Sequence, residues 1–314
     1  MSAEQSTTRR YRPPAPLGGR RRDGAGSRNA KALAFLAPAL VVIGLFVIWP
    51  MLSALRLSFT DASGFGREEW IGLENYRTVF TDPDVFDAVA NTVWYTVLFT
   101  PTAVIAALAL ALLLNSPHLP FRSFFRTALF VPFVVSFAVA AFAWSYLIDP
   151  RVGLLNYWLR GLGVQMGDVL QDPDLAMPAV AFVAVWKLFG FYFVIFLAGL
   201  QDIPTSLYEA ARMDGAGPWS RLRHVTLPML SNTMAFVLVF AMIAALQAFD
   251  QIYVMTGGGP YGNTQTVVME IYESGFRKLD IGFASALSYV LLIATLLLSL
   301  VQFVFFGRKE KDLS

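Results

Sequence analysis

Six stretches of the chain stay apolar for about the 20 residues that a membrane-spanning helix needs. They cover about 32–54, 92–114, 128–148, 177–200, 229–254 and 284–306. Each is apolar all round rather than along one stripe, which excludes surface helices of a soluble protein. The pattern predicts an all-α integral membrane protein with six transmembrane helices. Between the spans the polar positions are ordered too. The second half of 55–91 is amphipathic and runs into Asn91. Segment 149–176 has helical periodicity over Leu154, Leu155, Trp158, Leu159 and Leu162, which predicts a short cap lying at the membrane surface. In the connection 201–228, Ser206 and Glu209 have capping-box spacing and predict a helix start. Gly215 and Gly217 permit a tight turn, Pro218 suits the first turn of a second helix, and Pro228 closes it as the fifth span begins. A plain connector has no need of such punctuation. Nor does it need the small face of Ala210 and Ala211, which lets another surface come close.

Composition agrees with the pattern. Only 15% of the 314 residues are charged and 56% are hydrophobic, against roughly 25% charged in soluble domains. The distribution of charge orients the chain. Sixteen Lys and Arg fall in the tail before the first span (Arg9 to Lys31), the second and fourth connections, and the C-terminal tail. Seven fall on the other side: Arg56, Arg67, Arg77, Arg151, Arg160, Arg277 and Lys278. Lys187, inside a span, completes the 24. The side richer in positive charge is the cytoplasmic one, so both termini are expected there. Residues 1–31 form a basic, Arg/Gly/Pro/Ser-rich tail that is expected to be disordered. The spanning region is 32–307, and 308–314 is a short C-terminal tail. The tail is too long for the n-region of a cleavable signal, and no small-x-small site follows the first span.

Candidate chemistry is sparse. Cysteine is absent, and the two histidines, His118 and His224, lie far apart, so no metal site is expected. There is no G-x-x-x-x-G-K-[ST] motif, so a P-loop is lacking. No paired carboxylates or nucleophile–base set argues for an enzyme, and nothing calls for nucleic acid. Buried polar groups in spans are costly and mark a solute path. The candidates are Trp186, Lys187 and Phe191 in the fourth span and Gln247 and Asp250 in the fifth. Asn232, Gln251, Trp144, Ser145 and Tyr146 are further polar or aromatic offers. Lys187 either pairs, with Asp250 for instance, and orders two helices, or meets a hydroxyl, phosphate or carboxylate of a solute. Gly257, Gly258, Gly259 and Pro260 cannot continue a helix. They are expected to end the fifth span in a turn at the outer mouth.

Glu209-Ala210-Ala211, then Gly215, then Leu227-Pro228 at their spacing, with Val225 where isoleucine is commoner, resembles the loop signature of ATP-binding-cassette importer permeases. Phe249-Asp250-Gln251-Ile252-Tyr253-Val254-Met255-Thr256-Gly257-Gly258-Gly259-Pro260 followed by Thr264, and Gly72-Leu73-Glu74-Asn75-Tyr76, resemble the carbohydrate-uptake branch, closest to the maltose and glycerol-phosphate importers. The resemblance spans most of 30–307. It implies the type I importer permease fold, with a coupling helix between the fourth and fifth spans. Glu209, Ala210, Ala211, Asp214, Gly215, Leu227 and Pro228 would form the ATPase-coupling element. Ala184, Phe191 and Gln247 fall near solute-contact positions, but Ala184 lacks the polar group that the maltose relative uses. It further implies a multi-pass chain of a bacterial cytoplasmic membrane working with a second, homologous permease subunit. A dimer of ATP-binding subunits would hold ATP and Mg, this chain holding no cofactor, and a solute-binding protein or lipoprotein would deliver the cargo. The expected cargo is a sugar or sugar-like solute. The alternatives are glycerol-phosphate compounds, for which Lys187 is the only hint, or an ion-coupled secondary transporter, for which Asp250 is the only carboxylate within a span.

Overall fold

The computed structural model describes residues 35–64, 68–116, 119–164 and 167–311, with side chains described up to Phe305. The basic tail 1–31, Arg67, His118 and residues 312–314 lie outside the described residues. The side chains of Arg308, Lys309 and Lys311 do as well. The chain forms two units, residues 1–53 and 54–314. The apolar helix α1, Phe35–Leu57, begins in the first and has its last four residues in the second; it is broadened by one π-turn at Gly44–Ile48.

In the second unit, a short helix α2 (Glu74–Val79) precedes α3 (Pro83–Leu114). The amphipathic segment before Asn91 and the second span are therefore one continuous helix. Asp82 caps it through a hydrogen bond accepted from the Asp84 amide, and Pro83 occupies its first turn, where a missing N–H costs nothing. The fourth apolar stretch is α7, Ala176–Gln201, and the sixth is α13, Ile281–Lys311. Helices α3 and α7 form the centre of this unit. Ala103, Ala107 and Ala111 are fully buried at four-residue spacing, so the backbone of α3 comes close to Val180, Val183, Ala184 and Phe196 of α7.

The third and fifth stretches are not straight spans. The third is two helices, α4 (Arg122–Val134) and α5 (Phe137–Ile148), bent by 100° at Val135–Ser136. The fifth apolar block divides into α10 (Ser231–Leu246) and a separate short helix α11 (Asp250–Met255). The turn with Gly257 to Pro260 follows the last helix of this block, and an additional, unexpected break falls after Leu246. Hydropathy cannot register these breaks, because a broken apolar helix has the composition of an unbroken one. The third connection holds a short helix α6 of about two turns (Leu154–Gly161). It follows α5 across a turn in which Asp149 Oδ1 accepts from the Arg151 and Val152 amides, which lowers the pKa of its carboxyl. After α11 come α12 (Val267–Tyr272) and a π-turn, Glu273–Arg277, that leads to α13.

The Gly72 to Tyr76 motif has a structural use. Asn75, buried, donates to the carbonyls of Ser58 (3.0 Å) and Thr60 (2.8 Å), and the Tyr76 hydroxyl bonds the Ser58 hydroxyl at 2.8 Å. Asn75→Ala leaves two buried carbonyls without donors, at about 1–3 kcal/mol for each orphaned group. The thermal unfolding midpoint of the detergent-purified chain is expected to fall by several degrees. An unchanged midpoint would show that water replaces the amide at no cost.

Candidate functional site

The connection between the fourth and fifth stretches is a helix–turn–helix. Helix α8, Thr205–Met213, begins two residues earlier than a capping box with Ser206 at its cap would place it. Pro204 occupies the cap position and no side chain caps the helix, so Ser206 and Glu209 do not form the expected box. Pro204 already fixes the chain entry, and Ser206 is drawn into the first turn. At the other end, the Gly215 amide bonds the Arg212 carbonyl (3.0 Å) and the Ala216 amide bonds the Ala211 carbonyl (2.9 Å). This is a complete Schellman closure with Gly215 at φ +78°, a conformation that glycine adopts without a Cβ penalty. Gly217 is extended and carries no such demand, so Gly215 alone makes the turn.

Helix α9 then runs Pro218–Met229, with Pro218 in its first turn as expected. Leu227 and Pro228, both half-buried, lie inside it. Pro228 does not end the helix; the break falls at buried Leu230, where α9 and α10 bend by 68°. The missing N–H of Pro228 is accommodated by a π-turn over Leu222–Thr226, closed by the Leu227 amide on the Leu222 carbonyl. Tyr208 joins the two arms through its hydroxyl, 3.0 Å from that of Thr226. Glu209, Ala210 and Asp214 are exposed and Ala211 is half-buried. Met213 (89% exposed) and Trp219 (73% exposed) flank the turn and were not singled out from sequence. A tryptophan beside the Gly-Pro turn was the available signal.

The five solute-path candidates separate into two groups. Trp186, Lys187 and Phe191 turn toward the bent pair α4–α5. Trp186 meets Trp144 edge-on at 5.5 Å, and Phe191 stacks on Phe133 at 4.8 Å. Buried Lys187 donates to the Phe133 carbonyl at 3.2 Å and lies over the rings of Phe133 and Phe137. It makes no ion pair with Asp250; the ion pairs among the described residues are Arg56–Glu68, Arg277–Glu273 and Lys278–Glu270.

Gln247 and Asp250 instead line a cavity of about 120 Å³ with Tyr95, Phe137, Leu188 and Gln251. Its walls are the two helix breaks. Residues 247–249 separate α10 from α11, and Phe137 follows the elbow of the third stretch. Irregular backbone at membrane depth is tolerated where it is buried in protein or lines a cavity, and both conditions hold. The Ala248 carbonyl left free by the break accepts from the Thr266 hydroxyl at 3.0 Å. Gln251 donates to the buried Tyr95 hydroxyl at 2.8 Å. Tyr95 was missed in sequence, although a hydroxyl in the middle of an apolar helix must find a partner. Ala184 is buried in the core and does not reach this cavity.

Residues 82–313 match the family described as binding-protein-dependent transport system inner membrane component. The chain belongs to this family. It is 37% identical over 282 residues to the probable ABC transporter permease protein YurN of Bacillus subtilis (strain 168), covering 88% of this chain and 96% of the relative. It is 38% identical over 284 residues to the sulfoquinovosyl glycerol transport system permease protein SmoG of Agrobacterium fabrum, covering 89% and 91%. The crystal structure of a bacterial ABC transporter involved in the import of the acidic polysaccharide alginate shares the fold. The TM-score is 0.78 at 23% identity, over 90% of this chain and 96% of that one. The chain is thus a membrane-spanning permease subunit of an ABC importer.

The turn after α11 carries Gly257 and Gly258 at positive φ, with Gly259 and Pro260 following. Thr264, fully buried, closes the turn: its hydroxyl donates to the Gly259 carbonyl (2.6 Å) and bonds that of Thr256 (2.7 Å). Asn91 ties the loop to α3 by donating to the Gly262 and Gln265 carbonyls. Beside it lies a polar cavity of about 350 Å³ between the start of α3 and α12. Buried Glu270 there accepts from Gln265, Ser274 and Lys278. Burial of Lys278 works against its charge, yet the Glu270 carboxylate, with Asp84 and Asp82 beyond, raises its pKa above the ordinary lysine value.

Proposed function

We propose that this permease carries a sugar or sugar-like solute into the cytoplasm, driven by ATP that separate subunits bind with Mg and hydrolyse. The observation that carries the coupling half of the proposal is the α8–α9 hairpin. It presents an exposed carboxylate, a small alanine face and two large exposed apolar side chains around a turn that is rigid by its own hydrogen bonds. Large apolar side chains left this exposed on either side of one turn support a protein interface here. Glu209, Ala210, Ala211, Asp214 and Gly215 face the partner, and Leu227 and Pro228 carry the motion toward α10. The charge bias supports a cytoplasmic position for this hairpin and both termini.

Gln247 and Asp250 are the solute-facing polar groups, with aromatic Trp186 and Phe191 on the neighbouring helix. The cavity of about 120 Å³ is below the roughly 300–1,000 Å³ of small-molecule sites, so passage requires the surrounding helices to part. Alternating access provides this in concert with a second, homologous permease subunit. The Gly257–Pro260 turn faces outward, where the solute-binding protein docks. The alginate importer has been solved with an alginate pentasaccharide-bound periplasmic protein, and the relative SmoG is named for sulfoquinovosyl glycerol. Both support a carbohydrate-like cargo. A glycerol-phosphate cargo rested on Lys187, whose ammonium is already engaged. An ion-coupled mechanism is not favoured for a member of a binding-protein-dependent family.

The absence of cysteine makes a direct test simple. Met213→Cys and Trp219→Cys, made singly, are expected to react with a membrane-impermeant maleimide in inside-out vesicles holding the permease pair alone. Co-assembly with the ATP-binding subunits should protect both positions. Equal labelling with and without those subunits would overturn the interface.

A further inference from the structure

We infer that Lys187 is a positioning residue that pins the elbow of the third stretch, and through it the Phe137 wall of the central cavity. The elbow poses a physical problem. Helix α4 ends at Val134, and the last four carbonyls of a helix have no partner within it. Pro132 also cannot donate to the Ala128 carbonyl. Inside a bilayer no water is at hand to satisfy such groups. The Lys187 ammonium donates to the Phe133 carbonyl at 3.2 Å, a cation placed at the negative end of a helix dipole.

The same ammonium lies 5.3 Å from the ring centre of Phe133 and 4.5 Å from that of Phe137, so it touches both arms of the elbow. Ser136 completes the joint by accepting from the Val139 amide and starting α5.

The face of α7 that meets the elbow is continuous. Lys187, Gly190 and Phe191 lie at i, i+3 and i+4, on one side of the helix. Gly190 lets the α7 backbone come so close that an added Cβ would stand 2.1 Å from the Leu129 carbonyl oxygen. Phe191 stacks on Phe133 one turn further. Burying a lysine costs several kcal/mol unless it is compensated. Here the elbow supplies the direct contacts, and the Asp250 carboxylate adds only a longer-range favourable charge without forming an ion pair. Phe137, held beneath the ammonium, is also part of the cavity lining with Gln247 and Asp250. Lys187 therefore sets the shape of the solute path without facing the solute.

The test measures the elbow directly. Ser123→Cys on α4 and Ala143→Cys on α5, both exposed positions, are introduced into the cysteine-free chain and spin-labelled in the complete transporter in nanodiscs. With Lys187 present, the inter-label distance is expected to be single and narrow. In the Lys187→Met background the carbonyl loses its donor, and the distance should become broad or shift. Lys187→Arg, which keeps a cationic donor, should restore one narrow distance. Should Lys187→Met fail to assemble, Ser136→Ala removes the other half of the joint and is expected to broaden the distance as well. Unchanged narrow distances in Lys187→Met and Ser136→Ala would overturn the proposal. A narrow distance in Lys187→Met together with lost uptake would instead assign the ammonium to the solute.

Discussion

Glu209→Lys is expected to abolish ATP-driven uptake while leaving membrane insertion and the yield of folded permease intact. Glu209 is exposed on α8, makes no ion pair within the described chain and supports no core residue. Reversal therefore costs the isolated subunit little, since surface substitutions of this kind usually stay within about 0.5 kcal/mol. At a docked interface the balance differs. Truncating one partner of a buried charge pair costs about 2–5 kcal/mol, and like-charge juxtaposition costs several more. At 1.4 kcal/mol per factor of ten, that is a loss of about 30-fold to more than 1,000-fold. Gly215→Val should act in the same direction by another route. Nothing lies within 4 Å of the added Cβ, so there is no clash. The cost is conformational: a β-branched residue at φ +78° pays about 1–2 kcal/mol or leaves the left-handed region and undoes the Schellman closure. Uptake into proteoliposomes reconstituted with the ATP-binding subunits is the measurement. Normal uptake by both variants would remove the coupling assignment from this hairpin.

The second large effect is at Gly190. Gly190→Val puts a Cβ 2.1 Å from the Leu129 carbonyl oxygen and 3.1 Å from the Phe130 Cα. These are backbone atoms that cannot rotate away, so α4 and α7 must separate. Overpacking costs 1–3 kcal/mol and occasionally more. Here the Phe133–Phe191 stack and the Lys187 contact are lost along with it. A fall in the unfolding midpoint of the detergent-purified chain is expected, together with loss of uptake. Gly44→Ala is the matched control, because its added methyl meets nothing within 4 Å. A midpoint for Gly190→Val equal to that of Gly44→Ala would show that the two helices do not pack this closely.

The six apolar blocks were legible because length and composition suffice to identify a span. The hairpin was legible because Gly215 and Pro218 are positions with few conformational options. What escaped were the breaks. Pro132 and Ser136 stand four residues apart inside an apolar block, the pattern of a helix end followed by a cap, yet a hydropathy reading averages over them. The 247–249 break has no proline or glycine at all, and its stability rests on Thr266, far along the chain. The pairing of Lys187 was open for the same reason. A backbone carbonyl exposed by a distant helix break has no signature in sequence, so a carboxylate appeared the natural partner. The capping box failed at Ser206 because Pro204 decides where the helix starts, and a spacing rule does not weigh a neighbouring proline.

The bend at Leu230 turns the hairpin into a crank. Backbone hydrogen bonds continue through the pivot, from the Leu230 amide to Thr226 and from the Met234 amide to Leu230. Gly199 of α7 leaves just enough room for Leu230 and Thr233 to bear against it. The arm beyond the pivot, α10, has 16 residues and is about 24 Å long at 1.5 Å per residue. A rotation of about 10° at Leu230 therefore swings its far end by about 4 Å, and that far end is Gln247. A push too small to disturb the hairpin's own packing is thereby magnified at the wall of the cavity. On the proposed function, the coupling hairpin and Gln247 lie at opposite ends of the α9–α10 pair, joined through the Leu230 pivot.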